Sequence, residues 1–310
     1  MGVEPSGQIR GGFQSSGRSC ELAKVKAEWS GRKGEIMTIA KGPVITAALT
    51  TSVYDVVHIM AEEGFRRIPI VDPRTKTLQG IVTSTDIVDY LGGGRKFEII
   101  QRELDGSFFK AINEPVKSIM RSNPPTVEDV ATINRAIELM KQHRVGGLPV
   151  VDIANRVLAI VTEKDLLSVF GRKARGVRVE ALMTKEVVTG NGETTIIEAE
   201  REMVEKSFRR LPLVLEGRLV GIITAMDIVR FFGSGEVFQH LRSGTILQVL
   251  QTPALQIGTK KLVTTSQNAD ATEAARTMNE RNVGALPVVD DEKLVGMLTE
   301  RDFFKLALRT

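Results

Sequence analysis

Phe208-Arg209-Arg210-Leu211-Pro212-Leu213-Val214-Leu215-Glu216-Gly217-Arg218-Leu219-Val220-Gly221-Ile222-Ile223-Thr224-Ala225-Met226-Asp227-Ile228 decides how this chain of 310 residues is read. Two apolar runs flank a polar Glu-Gly turn, and Thr-x-x-Asp then opens a further apolar run. The pattern returns three times, ending in Gly80-Ile81-Val82-Thr83-Ser84-Thr85-Asp86, Ala159-Ile160-Val161-Thr162-Glu163-Lys164-Asp165 and Gly296-Met297-Leu298-Thr299-Glu300-Arg301-Asp302. An internal repeat fixes the architecture and is read before anything else.

Each copy carries the same markers. They are Thr46, Met60, Pro69, Thr83 and Asp86 in the first, and Thr126, Met140, Pro149, Thr162 and Asp165 in the second. The third has Thr189, Met203, Pro212, Thr224 and Asp227, and the fourth Thr264, Met278, Pro287, Thr299 and Asp302. Early Thr to Met is 14 residues in every copy, Met to Pro is 9, and late Thr to Asp is 3. Pro to late Thr is 14, 13, 12 and 12, varying where a hairpin turn belongs. Seven, four and three residues before each Met the positions are mostly apolar, as in Val53, Val56 and Val57. That spacing is one face of an amphipathic helix. Glu200 breaks it in the third copy. Two short apolar runs then read as paired strands, and an apolar helix follows the Asp. Each copy is therefore strand–helix–strand–strand–helix, too small to close a core alone.

A longer period lies above the first. Successive motif Asp residues are 79, 62 and 75 apart. Odd copies carry Phe65-Arg66-Arg67 and Phe208-Arg209-Arg210, where even copies carry Val145-Gly146-Gly147 and Val283-Gly284-Ala285. The chain reads as a duplicated pair, copies one and two forming one module and copies three and four another. In the fourth copy residues 248–261 stand where the second and third copies have a compact lead-in, which questions its first strand.

Net charge is +4, but residues 1–41 hold seven Lys/Arg against four Asp/Glu and the rest of the chain 35 against 34. A near-neutral body without a basic block argues against nucleic acid. Cys20 is the single cysteine, so no intramolecular disulfide forms, and no apolar run reaches the roughly 18 residues of a membrane span. The expectation is a cytoplasmic protein without membrane attachment. Residues 1–35, rich in Gly, Ser, Arg and Lys, read as a disordered basic tail, at most partly helical over 22–29, where Trp29 lies.

These motifs resemble the cystathionine beta-synthase (CBS) domain. Four copies over residues 36–308 carry the likeness, and the arrangement is similar to the gamma regulatory subunit of AMP-activated protein kinase and its stand-alone archaeal relatives. The resemblance implies an α/β fold of α+β repeats, paired into two pseudo-two-fold modules packed as a disk. Repeats are set at 36–92, 115–171, 178–233 and 257–310, with linkers at 93–114 and 234–256. It also implies AMP, ADP or ATP as ligand in clefts between paired repeats, with no catalytic cofactor. Asp86, Asp165, Asp227 and Asp302 would hold ribose, and Thr83, Thr85, Thr162, Thr224 and Thr299 would lie near ribose or phosphate. Adenine would be framed around Thr46, Thr126, Thr189, Thr264 and around Pro69, Pro149, Pro212 and Pro287. An unidentified regulated protein and a homodimer are the expected partners.

The chemistry of the residues supports this independently. A carboxylate accepts two hydrogen bonds from a vicinal diol. A helix N-terminus at the late Thr presents free N–H groups to phosphate. Arg66, Arg67, Arg209 and Arg210 offer paired donors to phosphate oxygens, with Lys164 and Arg301 adding charge in even copies. Glycine in the even copies would give a ligand room, so that one kind of copy supplies charge and the other space. The rival for Thr-x-x-Asp is a helix capping box, in which the acid faces its own backbone. The rival for the arginines is a solvated strand edge. The repeated Met residues are core filler. His58, His143 and His240 lack metal-ligand spacing. A different adenosyl ligand such as S-adenosylmethionine keeps the fold, though the arginines favour phosphate. An enzyme lacks a nucleophile set or Walker loop here, and a scaffold binding nucleic acid would depend on the tail.

Overall fold

The computed structural model describes residues 23–25, 34–241 and 244–307. Each copy contains a long helix and a hairpin. The helices are Val53–Glu63, Ile133–Gln142, Ile196–Glu205 and Ala271–Glu280. Ser52, Thr132, Thr195 and Asp270 cap them by accepting from a backbone N–H in the first turn. Their stripes are buried as the spacing requires, including Met60, Met140, Met203 and Met278. Glu200 goes into the core with its stripe.

The hairpins pair Arg67–Val71 with Leu78–Thr83, Gly147–Val151 with Val157–Thr162, Arg210–Leu215 with Arg218–Thr224, and Ala285–Asp290 with Lys293–Thr299. In the last two, only two residues separate the strands, and both have positive φ: Glu216 and Gly217, then Asp291 and Glu292. That is the backbone a two-residue hairpin turn needs. It shortens the Pro-to-Thr spacing there to 12.

Pairing within each module is reciprocal. Lys41 bridges Ile160, Arg121 pairs with Ile81, Thr184 bridges Met297 and Thr259 bridges Ile222. In each case the residue five before one early Thr meets the residue two before its partner copy's late Thr. The fourth copy obeys this rule despite residues 248–261, which fold into short helices at Ile246–Leu250 and Ala254–Ile257. Its first strand is reduced to the bridge Thr265↔Val288, but the third copy has only Gly190↔Leu213 at the same place. The questioned lead-in is therefore in register.

Helices join the two modules. Val53–Glu63 of copy one lies on Ala225–Gly233 of copy three, and Ile196–Glu205 of copy three lies on the π-helical turn Asp89–Gly93 of copy one. Copies one and three share one continuous apolar core. Copies two and four pack alike, Ala271–Glu280 against Glu163–Phe170 and the turn Gly171–Ala174. No helix of the described residues is long and apolar enough to cross a membrane. Within the segment expected to be disordered or helical, Ala23–Val25 is instead a strand, antiparallel to Val44–Thr46. The rest of residues 1–33, with Cys20 and Trp29, lies outside the described residues.

Candidate functional site

All four Thr-x-x-Asp motifs form capping boxes. The backbone N–H of Thr83, Thr162, Thr224 and Thr299 donates to Oδ2 of Asp86, Asp165, Asp227 and Asp302 at 2.9, 2.9, 2.8 and 2.8 Å. The rival reading is thus realised for one carboxylate oxygen in every copy. The other oxygen differs from copy to copy. Oδ1 of Asp86 is held by Lys96 Nζ at 2.7 Å and Arg121 Nε at 2.8 Å. A single cation meets Oδ1 elsewhere: Lys41 at 3.0 Å on Asp165, Arg230 at 3.2 Å on Asp227, Lys305 at 3.0 Å on Asp302. Burial pushes Asp86 up, but Lys96 and then Arg121 outweigh it and hold the carboxyl below its ordinary value. Burial leads the other way at Asp227, whose carboxyl is pushed up.

Strand exchange builds the clefts. Each one joins the Thr-x-x-Asp of one copy to the lead-in and the helix-to-strand turn of its module partner. They merge in pairs across the module boundary. One cavity, about 570 Å³, runs from Thr162 and Asp165 to Thr224 and Asp227. The other, about 820 Å³, runs from Thr83 and Thr85 to Thr299 and Arg301. Lys164 and Pro287 line the first, Pro149 and Pro212 the second. Arg66, Arg67, Arg209 and Arg210 line both.

Seven expected residues stand on neither wall: Thr46, Pro69, Asp86, Thr126, Thr189, Thr264 and Asp302. Thr46 is buried in its strand, while Thr189 and Thr264 are exposed. The walls are made instead by residues just before each early Thr: Val44 and Ile45, Pro124 and Pro125, Val187 and Val188, Leu262 and Val263.

At the centre the arginines of odd copies meet glutamates of even copies. Glu163 Oε2 accepts from Arg209 Nη2 at 2.6 Å and its Oε1 from Arg301 Nε at 2.6 Å. Glu300 Oε2 accepts from Arg66 Nη1 at 3.3 Å. Arg210 donates to the Gly284 carbonyl at 3.0 Å. The Arg67 side chain has no hydrogen bond or ion pair among the described residues, and its guanidinium lies against Gly147. Burial, then repulsion from Arg209, brings Arg67 and Arg210 down to about 10, so both stay cationic. Burial would raise Glu163, but Arg209 and then Arg301 hold its carboxyl at about 2.

The glycines of the even copies leave room for these pairs. A Cβ on Gly146 would stand 2.6 Å from Arg209 Nη1 and 2.8 Å from Glu163 Oε2, and one on Gly284 2.8 Å from Arg66 and 3.0 Å from Glu300. The room expected beside these glycines holds the partner module's arginine. Glu163 and Glu300 were not singled out in the sequence. Their signal is visible there, because the residue after the late Thr is Glu only in the copies that lack arginines.

Comparison with known proteins follows the same division. The CBS domain model matches residues 34–93, 116–172, 179–234 and 255–309. Protein MJ1225 of Methanocaldococcus jannaschii is 34% identical over 273 residues, 87% of this chain and 98% of that one. Its crystal structure, which proposes it as an archaeal homolog of g-AMPK, aligns with a TM-score of 0.84 over 88% of this chain and 99% of that one. A 33.4 kDa protein encoded in a ribosomal RNA operon of Thermofilum pendens is 33% identical over 260 residues, 84% of this chain and 86% of that one. A protein of Pyrococcus horikoshii, 20% identical with a TM-score of 0.56 over 88% of this chain and 99% of that one, shares the fold.

Proposed function

We propose that this chain, which belongs to the CBS-domain family, is a non-catalytic regulatory protein that binds adenosine nucleotides in the clefts between its paired repeats. The observation that carries the reading is the convergence of Arg66, Arg67, Arg209 and Arg210 on the partition between two cavities. Four guanidiniums so close repel one another, and two acidic side chains answer only part of that charge. An anion with several oxygens matches what is missing. AMP, ADP or ATP would place phosphate there and adenosine in the flanking clefts.

The four clefts are unequal in this reading. Asp165 and Asp227 stand on a cavity wall with one cation each on Oδ1. A ribose diol entering there replaces that cation as hydrogen-bond partner. Asp86 is closed by Lys96 and Arg121, so the ribose in its cleft meets Thr83 and Thr85 instead. Among the described residues no group of His, Cys, Asp and Glu has the arrangement of a metal site. The output is the arrangement of the two modules, read by a partner protein, and a ligand shifts it only by its differential affinity for the two states. The test is mass spectrometry of small molecules released from the purified full chain. Adenosine nucleotides are expected in stoichiometric amounts. Release of a different adenosyl compound would replace the ligand, and protein that comes free of any such compound and gains none on incubation with AMP, ADP and ATP would refute the reading.

A further inference from the structure

The two cavities share their four central arginines but not the glutamates paired with them. Glu163 and Glu300 stand on the wall of the 570 Å³ cavity and not on that of the 820 Å³ cavity. The smaller cavity also presents the carboxylates of Asp165 and Asp227, whereas Asp86 and Asp302 are off the wall of the larger one. Each wall adds four further cations, Lys41, Lys164, Arg230 and Lys261 on the smaller and Arg121, Arg144, Lys206 and Arg301 on the larger, but the larger wall carries only Asp89 and Glu186 as acids, both away from the arginine centre's own ion pairs. Seen from one face, the four central arginines are half neutralised by two fixed carboxylates. Seen from the other, they are not.

Those carboxylates cannot turn aside. Glu163 is 1% exposed and gripped at both oxygens by Arg209 and Arg301. Glu300 is 2% exposed and faces Arg66 over the space left by Gly284. A phosphate chain drawing Arg66 from Glu300, or Arg209 from Glu163, would cost a buried carboxylate one of its counter-ions, which is unfavourable from either face. A chain that leaves the pairs intact would bring its own negative charge beside theirs.

We infer that Glu163 and Glu300 are specificity residues which limit the phosphate charge accepted from the Asp165/Asp227 face, so that this face takes adenosine monophosphate while adenosine triphosphate binds from the Thr83/Thr299 face. This rests on the nucleotide reading above and adds to it a sorting of ligands by charge between the two faces. The asymmetry is built into the duplication. Glutamate follows the late Thr in even copies alone, and both glutamates emerge on one side.

Isoleucine methyl groups report the faces separately. Ile160 and Ile222 line the smaller cavity and Ile81 the larger. Full-length protein carrying ¹³C-methyl isoleucine is titrated with AMP and with ATP. In the native chain ATP is expected to shift Ile81 at concentrations at least about tenfold below those that shift Ile160 and Ile222, with AMP shifting all three. In Glu163→Gln, ATP affinity read at Ile160 and Ile222 is expected to rise about tenfold, with AMP affinity there and ATP affinity at Ile81 changed less than threefold. Glu300→Gln, whose carboxylate holds a single arginine, gives the same reading should the first variant fold poorly. ATP acting equally at both faces of the native chain, or a glutamine variant that leaves ATP affinity at Ile160 unchanged, would overturn the inference. Methyl groups unmoved by either nucleotide would remove the parent reading, and the inference with it.

Discussion

Glu200 lies at 0% exposure on the core face of its helix, and neither carboxylate oxygen has a partner. It faces Gly92 and Gly93 of copy one, so it sits where the two modules touch. Burial pushes its carboxyl well above the ordinary value, and the opposing effect of Arg201 is smaller. The folded state therefore binds this proton more tightly than the unfolded one. Stability from this group is fully present below the unfolded value and is lost as pH rises toward the folded one. Glu200→Leu keeps the volume and removes the desolvated group. It is expected to stabilise the chain by about 1–3 kcal/mol at pH 8, with a smaller gain at pH 4, measured by urea unfolding. A loss at pH 8, or an equal gain at both values, would contradict the assignment. The spacing of the helix made Glu200 legible as an exception. It did not say whether the side chain would turn out or go in, because that is decided by the neighbouring copy.

Helices and hairpins were the most readable level. Their periods come from backbone geometry, which repeats whenever the local pattern repeats. The Thr-x-x-Asp cap, a contact spanning three residues, was legible as the rival to ribose binding, and the structure forms it in all four copies. The meaning of Phe-Arg-Arg and Val-Gly-Gly was not, since it lies in contacts between copies, from 46 residues apart for Arg209 and Glu163 to 234 for Arg66 and Glu300. Gly233 shows the same limit. It ends the helix Ala225–Gly233 against Val53–Glu63, and a Cβ there would come 2.8 Å from Ala61 Cβ and 2.9 Å from the Val57 carbonyl. In an isolated helix Gly→Ala stabilises by about 1 kcal/mol. Gly233→Ala is expected to do the opposite, lowering stability by about 1–3 kcal/mol through overpacking between the modules. Thermal unfolding of the two proteins at one pH decides the sign, and an unchanged or higher midpoint would mean that these helices can part without cost.

The pairing of copies was visible in the alternating spacing of the Asp residues, and the fold class in each copy's element order and its resemblance to the CBS domain. The shared core of copies one and three was not, because buried stripes of similar composition do not name their partners. The same holds for the clefts. The markers located the right loops, while the wall residues were their neighbours and the central glutamates came from other copies. At the scale of the whole molecule, the proposed role of the arginine centre is to hold phosphate. Calorimetric titration of the full chain with ATP and with adenosine, in the native protein and in a variant carrying Arg67→Ala and Arg210→Ala, decides whether it does. The native chain should bind ATP saturably, and the double variant should lose at least about tenfold for ATP, or 1.4 kcal/mol, while adenosine changes little. No heat with millimolar ATP, or an equal loss for both ligands, would contradict it.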